Sequence, residues 1–234
     1  MAKPFHFQQF VVCQSREVFK VGTDGVLLGV LCSCKNAQRI LEVGTGTGLI
    51  SLMLAQRNPD AVILALDIDE NAVHLAQKNF ENAAFKDRLS VQHEDYKTFS
   101  TKEKFDVIVS NPPYFEETPD SQKNILARQQ IELNFEELIT RSSLHLSPKG
   151  VFSVIIPFAS EAYFIEVCHS RELYLQRRIK IRGIREGVVK RLVLEFSFEP
   201  KAIVEEEIIL ERAPRVYSRQ YLELTQEFHV FKNQ

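Results

Sequence analysis

The chain has 234 residues, which is the length of one α/β domain with a small elaboration. Apolar residues make up 44% of the sequence, which is enough for a large buried core and excludes a disordered chain. The formal net charge of −2 gives no overall attraction to nucleic acid, so such a contact would need a local basic patch.

The four cysteines match the spacing of neither a zinc ribbon nor a redox pair; they are Cys13, Cys32, Cys34 and Cys168. We expect reduced thiols that fill core space, and no bound metal. The sequence that starts at Met1–Phe5 has no long apolar run followed by a cleavage site, and no stretch approaches the ~20 apolar residues of a membrane span. We therefore expect a soluble, cytoplasmic protein.

The first 38 residues differ in pattern from the rest of the chain. Phe5, Phe7, Phe10 and Val12 alternate roughly, as in an edge hairpin, and Val26–Leu31 has a helical pattern. This segment is too small to be a domain. We predict that residues 1–38 form a hairpin and lid attached to the domain that follows.

From residue 39 onward, short apolar runs alternate with helical patterns. The runs predict strands over Arg39–Glu42, Ala61–Leu66, Leu89–Gln92, Phe105–Ser110, Val151–Ile156, Leu173–Ile181, Arg191–Phe198 and Ile203–Glu211. The helical patterns predict helices over Gly48–Arg57, Glu70–Asn79, Phe135–His145, Glu161–Ser170 and Ser218–Phe228, with a turn at Pro148–Gly150. This alternation is typical of a mostly parallel, doubly wound α/β sheet with helices on both faces, formed by residues 39–234.

The first predicted strand runs into a loop with an acid and alternating glycines: Glu42, Gly44, Gly46 and Gly48. A dinucleotide site would need a third glycine where Leu49 stands, and the Gly-Lys-Ser/Thr of a phosphate-binding loop is absent. Asp67 ends the second strand, where a carboxylate can accept hydrogen bonds from two ribose hydroxyls. The pattern suits a ligand with an amino-acid tail, a ribose and a base but no phosphates. S-adenosylmethionine is such a ligand.

Two further acids follow predicted strands. Asp95 comes after the third strand and could accept a hydrogen bond from the exocyclic amine of adenine, although a solvated loop acid is an equally good interpretation. Asp69 is predicted to cap the helix that starts at Glu70.

The fourth strand runs directly into Asn111, Pro112, Pro113 and Tyr114. Ligands of open α/β sheets bind beyond the carboxyl ends of the strands, so this motif and the glycine loop should face one crevice. The Asn111 side-chain oxygen and the Pro112 carbonyl can accept hydrogen bonds from a planar amino group and free its lone pair. Tyr114 can stack on a planar substrate. The motif therefore indicates methyl transfer to an amide-like nitrogen, with adenine, guanine and glutamine all open, and we assign Asn111 to both the catalytic and the cofactor-binding residues.

With these motifs the chain resembles class I methyltransferases of the N6-adenine/N5-glutamine group. It is more closely similar to the bacterial tRNA1(Val) (adenine-37-N6)-methyltransferases, through the segments Lys20–Gly29, Glu42–Tyr114 and Tyr217–Phe228. The resemblance implies a Rossmann-like, seven-stranded sheet with antiparallel final strands. It also implies that residues 1–38 cover the cofactor site, with Lys20, Thr23 and Asp24 over the methionine end of the cofactor.

A local basic stretch favours an RNA substrate. Residues 171 to 191 contain eight basic and two acidic residues, a local charge of +6, although a solvated strand pair would give the same pattern. We assign tRNA contacts to Arg128, Arg177, Arg178, Arg182, Lys190 and Arg191.

The resemblance implies methylation of N6 of adenine 37 in tRNA1(Val) by a protein that we expect to be a monomer. The alternatives are N5-methylation of a release-factor glutamine, N2-methylation of a ribosomal RNA guanine, and a cofactor-binding module without catalysis. Release-factor enzymes carry a helical substrate-binding domain ahead of the glycine loop. Here about 40 residues precede the loop, and they start strand-like.

Overall fold

The computed structural model describes residues 2–18, 20–113 and 135–229. The strands are β1 (Ala2–His6), β2 (Val11–Gln14), β3 (Arg39–Val43), β4 (Val62–Asp67), β5 (Leu89–His93), β6 (Phe105–Ser110), β7 (Leu146–Pro157), β8 (Tyr174–Ile184), β9 (Val189–Ser197), β10 (Val204–Ala213) and β11 (Val216–Tyr217). The α-helices are α1 (Thr23–Leu31), α2 (Leu49–Arg57), α3 (Glu70–Glu81), α4 (Phe135–His145), α5 (Glu161–Ser170) and α6 (Arg219–Thr225). Short 3-10 helices cover Lys86–Arg88 and Phe158–Ser160.

Strands β3 to β11 form one sheet in the order β11-β10-β8-β9-β7-β6-β3-β4-β5. The five strands from β7 to β5 are parallel, β9 is antiparallel to both of its neighbours, and β10 is parallel to β8. The mostly parallel α/β sheet is therefore confirmed. The implied count of seven strands is wrong, because the described residues alone form a sheet of nine strands. Strand β10 was predicted from the sequence at Ile203–Glu211, and its Glu205 to Glu207 lie beside the basic residues of β8. The short β11, which pairs with β10, was not predicted.

The sheet is buried on both faces, which explains the continuous apolar runs in its central strands. Ile40 of β3 belongs to the core that packs against α1, α2, α3 and α6, whereas its neighbour Leu41 belongs to the core that packs against α4 and α5. Val107 and Ile108 of β6 divide between the two cores in the same way. Helices therefore cover both faces, as the alternation of elements predicted.

The predicted N-terminal hairpin is confirmed, because β1 and β2 form a separate antiparallel pair. Asn79 of α3 holds it: the Cys13 backbone N–H donates to Asn79 Oδ1 at 2.8 Å, and Asn79 Nδ2 donates to the Cys13 carbonyl at 3.1 Å. At its other end, the Gln8 backbone N–H donates to the Phe228 carbonyl at 2.9 Å. Phe7 is 4% exposed and belongs to the core. The hairpin thus packs against the helices on one face of the sheet. Its role as a lid stays a prediction.

Two predicted boundaries need correction. The turn expected at Pro148–Gly150 lies inside β7, where the register with β6 changes between residues 146 and 151. A Cβ at Gly150 would lie 2.7 Å from the Leu146 side chain, so this irregular stretch is tightly packed. The closing helix α6 ends at Thr225 rather than Phe228, because the chain turns there and His229 bridges to Phe7.

Within the described ranges, no helix has both the length and the apolar character that crossing a membrane requires.

Replacing Gly29 by alanine should destabilise the protein, because a Cβ there would lie 2.6 Å from Met53 Sδ and 3.0 Å from Met53 Cβ. Overpacking of this kind costs about 1–3 kcal/mol. Urea unfolding measures the loss. Gly183→Ala is the matched control, since a Cβ at Gly183 meets nothing within 4 Å. Equal stability of the two variants would contradict the close approach of α1 to α2.

Candidate active site

The carboxyl ends of four adjacent parallel strands lie at one level. Ser110 of β6 pairs with Val43 of β3, Val43 pairs with Leu66 of β4, and Asp67 pairs with His93 of β5. Neighbouring strands are about 4.8 Å apart, so the ends of β6, β3 and β4 fall within about 10 Å of one another and the end of β5 lies about 5 Å further along. The structure therefore brings together the ends of the glycine-loop strand, the Asp67 strand and the Asn111 strand.

The glycine loop needs its glycines for backbone conformation. Gly44, Gly46 and Gly48 have φ of +75°, +56° and +79°, a left-handed region that residues with a Cβ rarely adopt. A Cβ at Gly44 or Gly46 would meet nothing within 4 Å, whereas one at Gly48 would lie 2.5 Å from Phe80. The first two glycines thus leave open space beside a bare backbone, and the third allows α3 to pack closely.

The loop is fixed from both sides. The backbone N–H groups of Gly44 and Thr45 donate to the Leu66 carbonyl at 2.9 and 3.1 Å. Asn79 Nδ2 donates to the Thr47 carbonyl at 2.8 Å, and the same amide holds the N-terminal hairpin. One buried side chain of α3 therefore links the hairpin to the glycine loop.

Glu42 is a buried carboxyl, 1% exposed, beneath the loop. Its Oε2 accepts hydrogen bonds from Thr45 Oγ1 at 2.8 Å, from the Ser51 backbone N–H at 3.0 Å and from Ser51 Oγ. Its Oε1 has no hydrogen-bond partner among the described residues. Burial raises the pKa of Glu42 to about 7, although these hydrogen bonds oppose the shift. The unpaired oxygen marks a place for a hydrogen-bond donor or a cation.

Sequence reasoning selected Glu42 but missed Ser51, its strongest partner. One feature could have identified Ser51: its hydroxyl lies on α2 among apolar residues that are all buried. A buried polar side chain of this kind needs a hydrogen-bond partner.

Asp67 is half-buried and bound to the same loop. Its Oδ2 accepts from the Gly46 backbone N–H at 2.8 Å, and its Oδ1 accepts from the Asp69 backbone N–H at 3.0 Å. Burial raises the pKa of Asp67 despite these bonds. A carboxylate has about four acceptor positions, so Asp67 can also accept hydrogen bonds from a ligand hydroxyl. Asp69 accepts from the Asn71 backbone N–H at 2.9 Å, which confirms its predicted capping role.

Asp95 lies in the turn that follows β5. Its Oδ1 accepts from the Lys97 backbone N–H at 2.9 Å, and its carbonyl accepts from the Phe99 backbone N–H at 2.9 Å. These bonds give Asp95 a structural role in shaping the turn. Its proposed contact with adenine stays a prediction.

The motif after β6 is described as far as Pro113. Asn111 is half-buried, Pro112 is buried and Pro113 is exposed. The preceding Ser110 donates from its hydroxyl to the Val43 carbonyl at 2.9 Å, which ties the start of the motif to the glycine-loop strand. The predicted stacking residue Tyr114 and the predicted tRNA contact Arg128 lie outside the described residues.

The first turn of α1 lies beside the start of α2. A Cβ at Gly25 would lie 3.1 Å from Leu49 Cδ2, and Leu49 directly follows the glycine loop. Asp24 Oδ2 accepts a hydrogen bond from Arg191 Nε of β9 at 3.0 Å. Lys20 and Thr23 are exposed. The structure thus places the segment that contains Thr23 and Asp24 beside the glycine loop.

The predicted tRNA-binding arginines of β8 are each paired with carboxylates. Arg177 Nε lies 2.5 Å from Glu206, and Arg182 Nε lies 2.6 Å from Glu207. Arg178 pairs with Glu161 at 2.5 Å and also with Glu205. The hydrogen bond from Arg177 lowers the pKa of Glu206. Most of the local charge counted from the sequence is therefore balanced within the sheet, and contact of these arginines with tRNA stays a prediction.

Among residues 2–18, 20–113 and 135–229, no group of three or more His, Cys, Asp or Glu side chains could hold a metal ion.

Comparison with known proteins identifies related chains. Residues 11–162 match the methyltransferase small domain family. A tRNA1(Val) (adenine(37)-N6)-methyltransferase of Flavobacteriaceae bacterium strain 3519-10 is 52% identical over 98% of this chain and 100% of its own length. The protein of the same name from Bacteroides thetaiotaomicron is 41% identical over 98% of this chain and 99% of its own length.

Solved structures support the fold. A predicted O-methyltransferase of Agrobacterium tumefaciens superposes with a TM-score of 0.68 at 21% identity, over 88% of this chain and 96% of its own. The ribosomal protein L11 methylase of Lactobacillus delbrueckii subsp. bulgaricus gives a TM-score of 0.54 at 19% identity, over 77% and 80% of the two chains. The fold is therefore that of a Rossmann-like class I methyltransferase.

The raised pKa of Glu42 makes the free energy of unfolding depend on pH. The folded protein holds a proton at Glu42 that the unfolded chain releases, because the pKa is about 7 in the fold and 4.5 ordinarily. Stability is therefore lost as the pH rises from about 4.5 through 7, and the loss approaches about 3 kcal/mol above that window. Glu42→Gln lacks this loss, so its stability relative to the unsubstituted protein should increase with pH.

Urea unfolding of both proteins at pH 5 and pH 8, without cofactor, measures this effect. The Asp67 shift has the same sign but is common to both proteins, so the difference between them reports Glu42. A difference that is equal at the two pH values would show that the pKa of Glu42 is not raised.

Proposed function

Because the chain belongs to the family of tRNA1(Val) (adenine(37)-N6)-methyltransferases, we propose that it transfers a methyl group from S-adenosylmethionine to N6 of adenine 37 in a tRNA. The observation that carries the proposal is the 52% identity to a relative of that name over essentially the whole of both chains. A tRNA substrate also supports a cytoplasmic location. tRNA1(Val) is the proposed substrate because the relatives carry that name.

The described residues fit the cofactor on two observations. Gly44 and Gly46 leave open space beside their backbone, which suits a ligand that approaches the loop closely. Glu42 presents a buried oxygen without a hydrogen-bond partner among the described residues, which suits the ammonium group of an amino-acid tail. We assign the ribose to Asp67, the adenine amine to Asp95, and the methionine end to the segment with Lys20, Thr23 and Asp24.

Asn111 and Pro112 are the proposed catalytic groups. The Asn111 side-chain oxygen and the Pro112 carbonyl accept hydrogen bonds from the two N–H bonds of the substrate amino group, which draws its lone pair out of conjugation. Pro112 and Pro113 have no N–H groups, so neither contributes a backbone donor that would compete for these acceptors. When bound, S-adenosylmethionine supplies a methyl group on a positively charged sulfur, which the freed lone pair attacks in line. No strong base is needed, because the proton leaves after the nitrogen has become cationic.

The base has to leave the anticodon-loop stack to reach these acceptors. Unstacking costs a few kcal/mol, and Tyr114 is proposed to offset it by stacking on the inserted base. Adenine 37 lies in a single-stranded loop, where this cost is lower than in a duplex.

The reaction can be tested directly with labelled S-adenosylmethionine and three candidate acceptors. Unmodified tRNA1(Val) should become labelled at N6 of adenine 37, whereas release factor and ribosomal RNA should remain unlabelled. A tRNA with guanine at position 37 is the matched control and should stay unlabelled, since it lacks the 6-amino group. Label in release factor alone would assign the chain to the glutamine methyltransferases instead.

Asn111→Ala should lower turnover far more than it lowers cofactor affinity. Loss of one positioned hydrogen-bonding group in other enzymes lowers kcat by about 10²–10³-fold. Single-turnover methylation and isothermal titration with S-adenosylhomocysteine measure the two effects separately. An equal loss of cofactor affinity would make Asn111 a cofactor-binding or structural residue.

A further inference from the structure

The strands next to the candidate active site extend well beyond it. Ser110, where β6 ends, is level with Val154 of β7, Leu194 of β9 and Arg178 of β8. Strand β8 continues from there to Ile184, six residues further. At 3.3 Å per residue, the β8–β9 hairpin projects about 20 Å past the carboxyl edge of the central strands.

An exposed aromatic ring lies at the base of this projection. Phe158 follows Pro157, the last residue of β7, and its side chain is 45% exposed. Pro157 pairs with Arg191 of β9, and Phe158 begins the 3-10 helix that follows β7 and packs against β9. Strand β7 is also the direct neighbour of β6, which leads into Asn111. The ring thus stands between the proposed catalytic motif and the projecting hairpin.

The cations of the hairpin fall into two groups. The first group is held in ion pairs with carboxylates and comprises Arg177, Arg178, Lys180, Arg182 and Arg191. Those near the tip, Arg185 and Lys190, are exposed and make no ion pair within the described part of the chain. Glu186 is the one acidic residue between positions 182 and 191.

The tip is a braced turn. The Gly187 backbone N–H donates to the Ile184 carbonyl at 2.9 Å, and Arg182 Nη1 donates to the Gly187 carbonyl. Val188 beside it is 70% exposed. An apolar side chain next to unpaired cations on an ordered turn is typical of a contact surface rather than of a solvated loop.

We propose that Phe158, Arg185 and Lys190 form a platform for single-stranded RNA beside the active site, with Phe158 stacking on a base next to adenine 37 and the two cations binding phosphates. Aromatic rings that alternate with cations are the general device for holding single strands. In this proposal, the ion-paired arginines of β8 stabilise the sheet, and Arg185 and Lys190 replace them as the predicted phosphate contacts. This inference rests on the proposed function, since it names the part of the substrate that the projection holds.

The test measures binding of an unmodified anticodon stem-loop RNA by fluorescence anisotropy over a series of salt concentrations. Phe158→Leu should weaken binding about tenfold with an unchanged salt dependence, because it removes stacking but no charge. Phe158→Tyr should restore binding. Arg185→Ala with Lys190→Ala should weaken binding and reduce the slope of log Kd against log salt by about 1.4, for two phosphates of a single strand.

The matched control is Lys86→Ala with Lys102→Ala, which removes the same charge from the amino edge of the sheet, ahead of β5 and β6. It should leave the slope unchanged. Arg178→Ala should lower the melting temperature and leave the slope unchanged.

The results distinguish failure of the RNA platform from failure of the proposed methyltransferase function. If the unsubstituted protein methylates tRNA and the Phe158 and tip variants bind RNA as it does, the platform is wrong and the proposed function stands. A weaker tip variant with an unchanged slope would exclude phosphate contacts. If the unsubstituted protein neither binds nor methylates tRNA, the proposed function fails and the platform fails with it.

Discussion

The register between β6, β3 and β4 is the constraint on which the candidate site depends. Ser110, Val43 and Leu66 form one row across the sheet, so three unrelated loops leave the strands at the same height. In a parallel ladder a shift of one residue would also turn every buried side chain to the opposite face. Because both faces are fully packed, such a shift is strongly disfavoured. Packing of the two cores therefore fixes the positions of the loops that carry the candidate site.

The charged groups of the candidate site and those along β8 differ in whether opposite charges within the protein balance them. Beneath the glycine loop, Glu42 and Asp67 are both placed where burial works against their charge. Such a pair favours the arrival of a positively charged ligand, which would relieve the cost of ionising them. Along β8, by contrast, arginines and glutamates balance one another inside the protein. The carboxylates that lack a balancing positive charge among the described residues, Glu42 and Asp67, thus lie at the carboxyl ends of the parallel strands.

The sequence predicted the helices and strands whose apolar residues recur with a regular period, and the motifs whose residues have a defined spacing. Helices such as Phe135–His145 were predicted with their observed bounds, and the glycine loop, Asp67 and Asn111 were placed at neighbouring strand ends. The pairing partners of the basic residues could not be predicted. Glu205 to Glu207 stand more than 20 residues from β8, and only the parallel pairing of β10 with β8 brings them together. Charge counted along a chain does not reveal which charges meet.

The fastening of the N-terminal hairpin has a consequence for how the protein is made. Gln8 is hydrogen-bonded to the backbone around residues 226–229, and the same hairpin shares Asn79 with the glycine loop. On the ribosome, β1 and β2 emerge more than 200 residues before Gln226 and His229, which accept hydrogen bonds from Gln8. The hairpin therefore cannot complete its packing until residue 229 has left the exit tunnel. Translation that stops before residue 226 therefore leaves the hairpin, which shares Asn79 with the glycine loop, without these contacts.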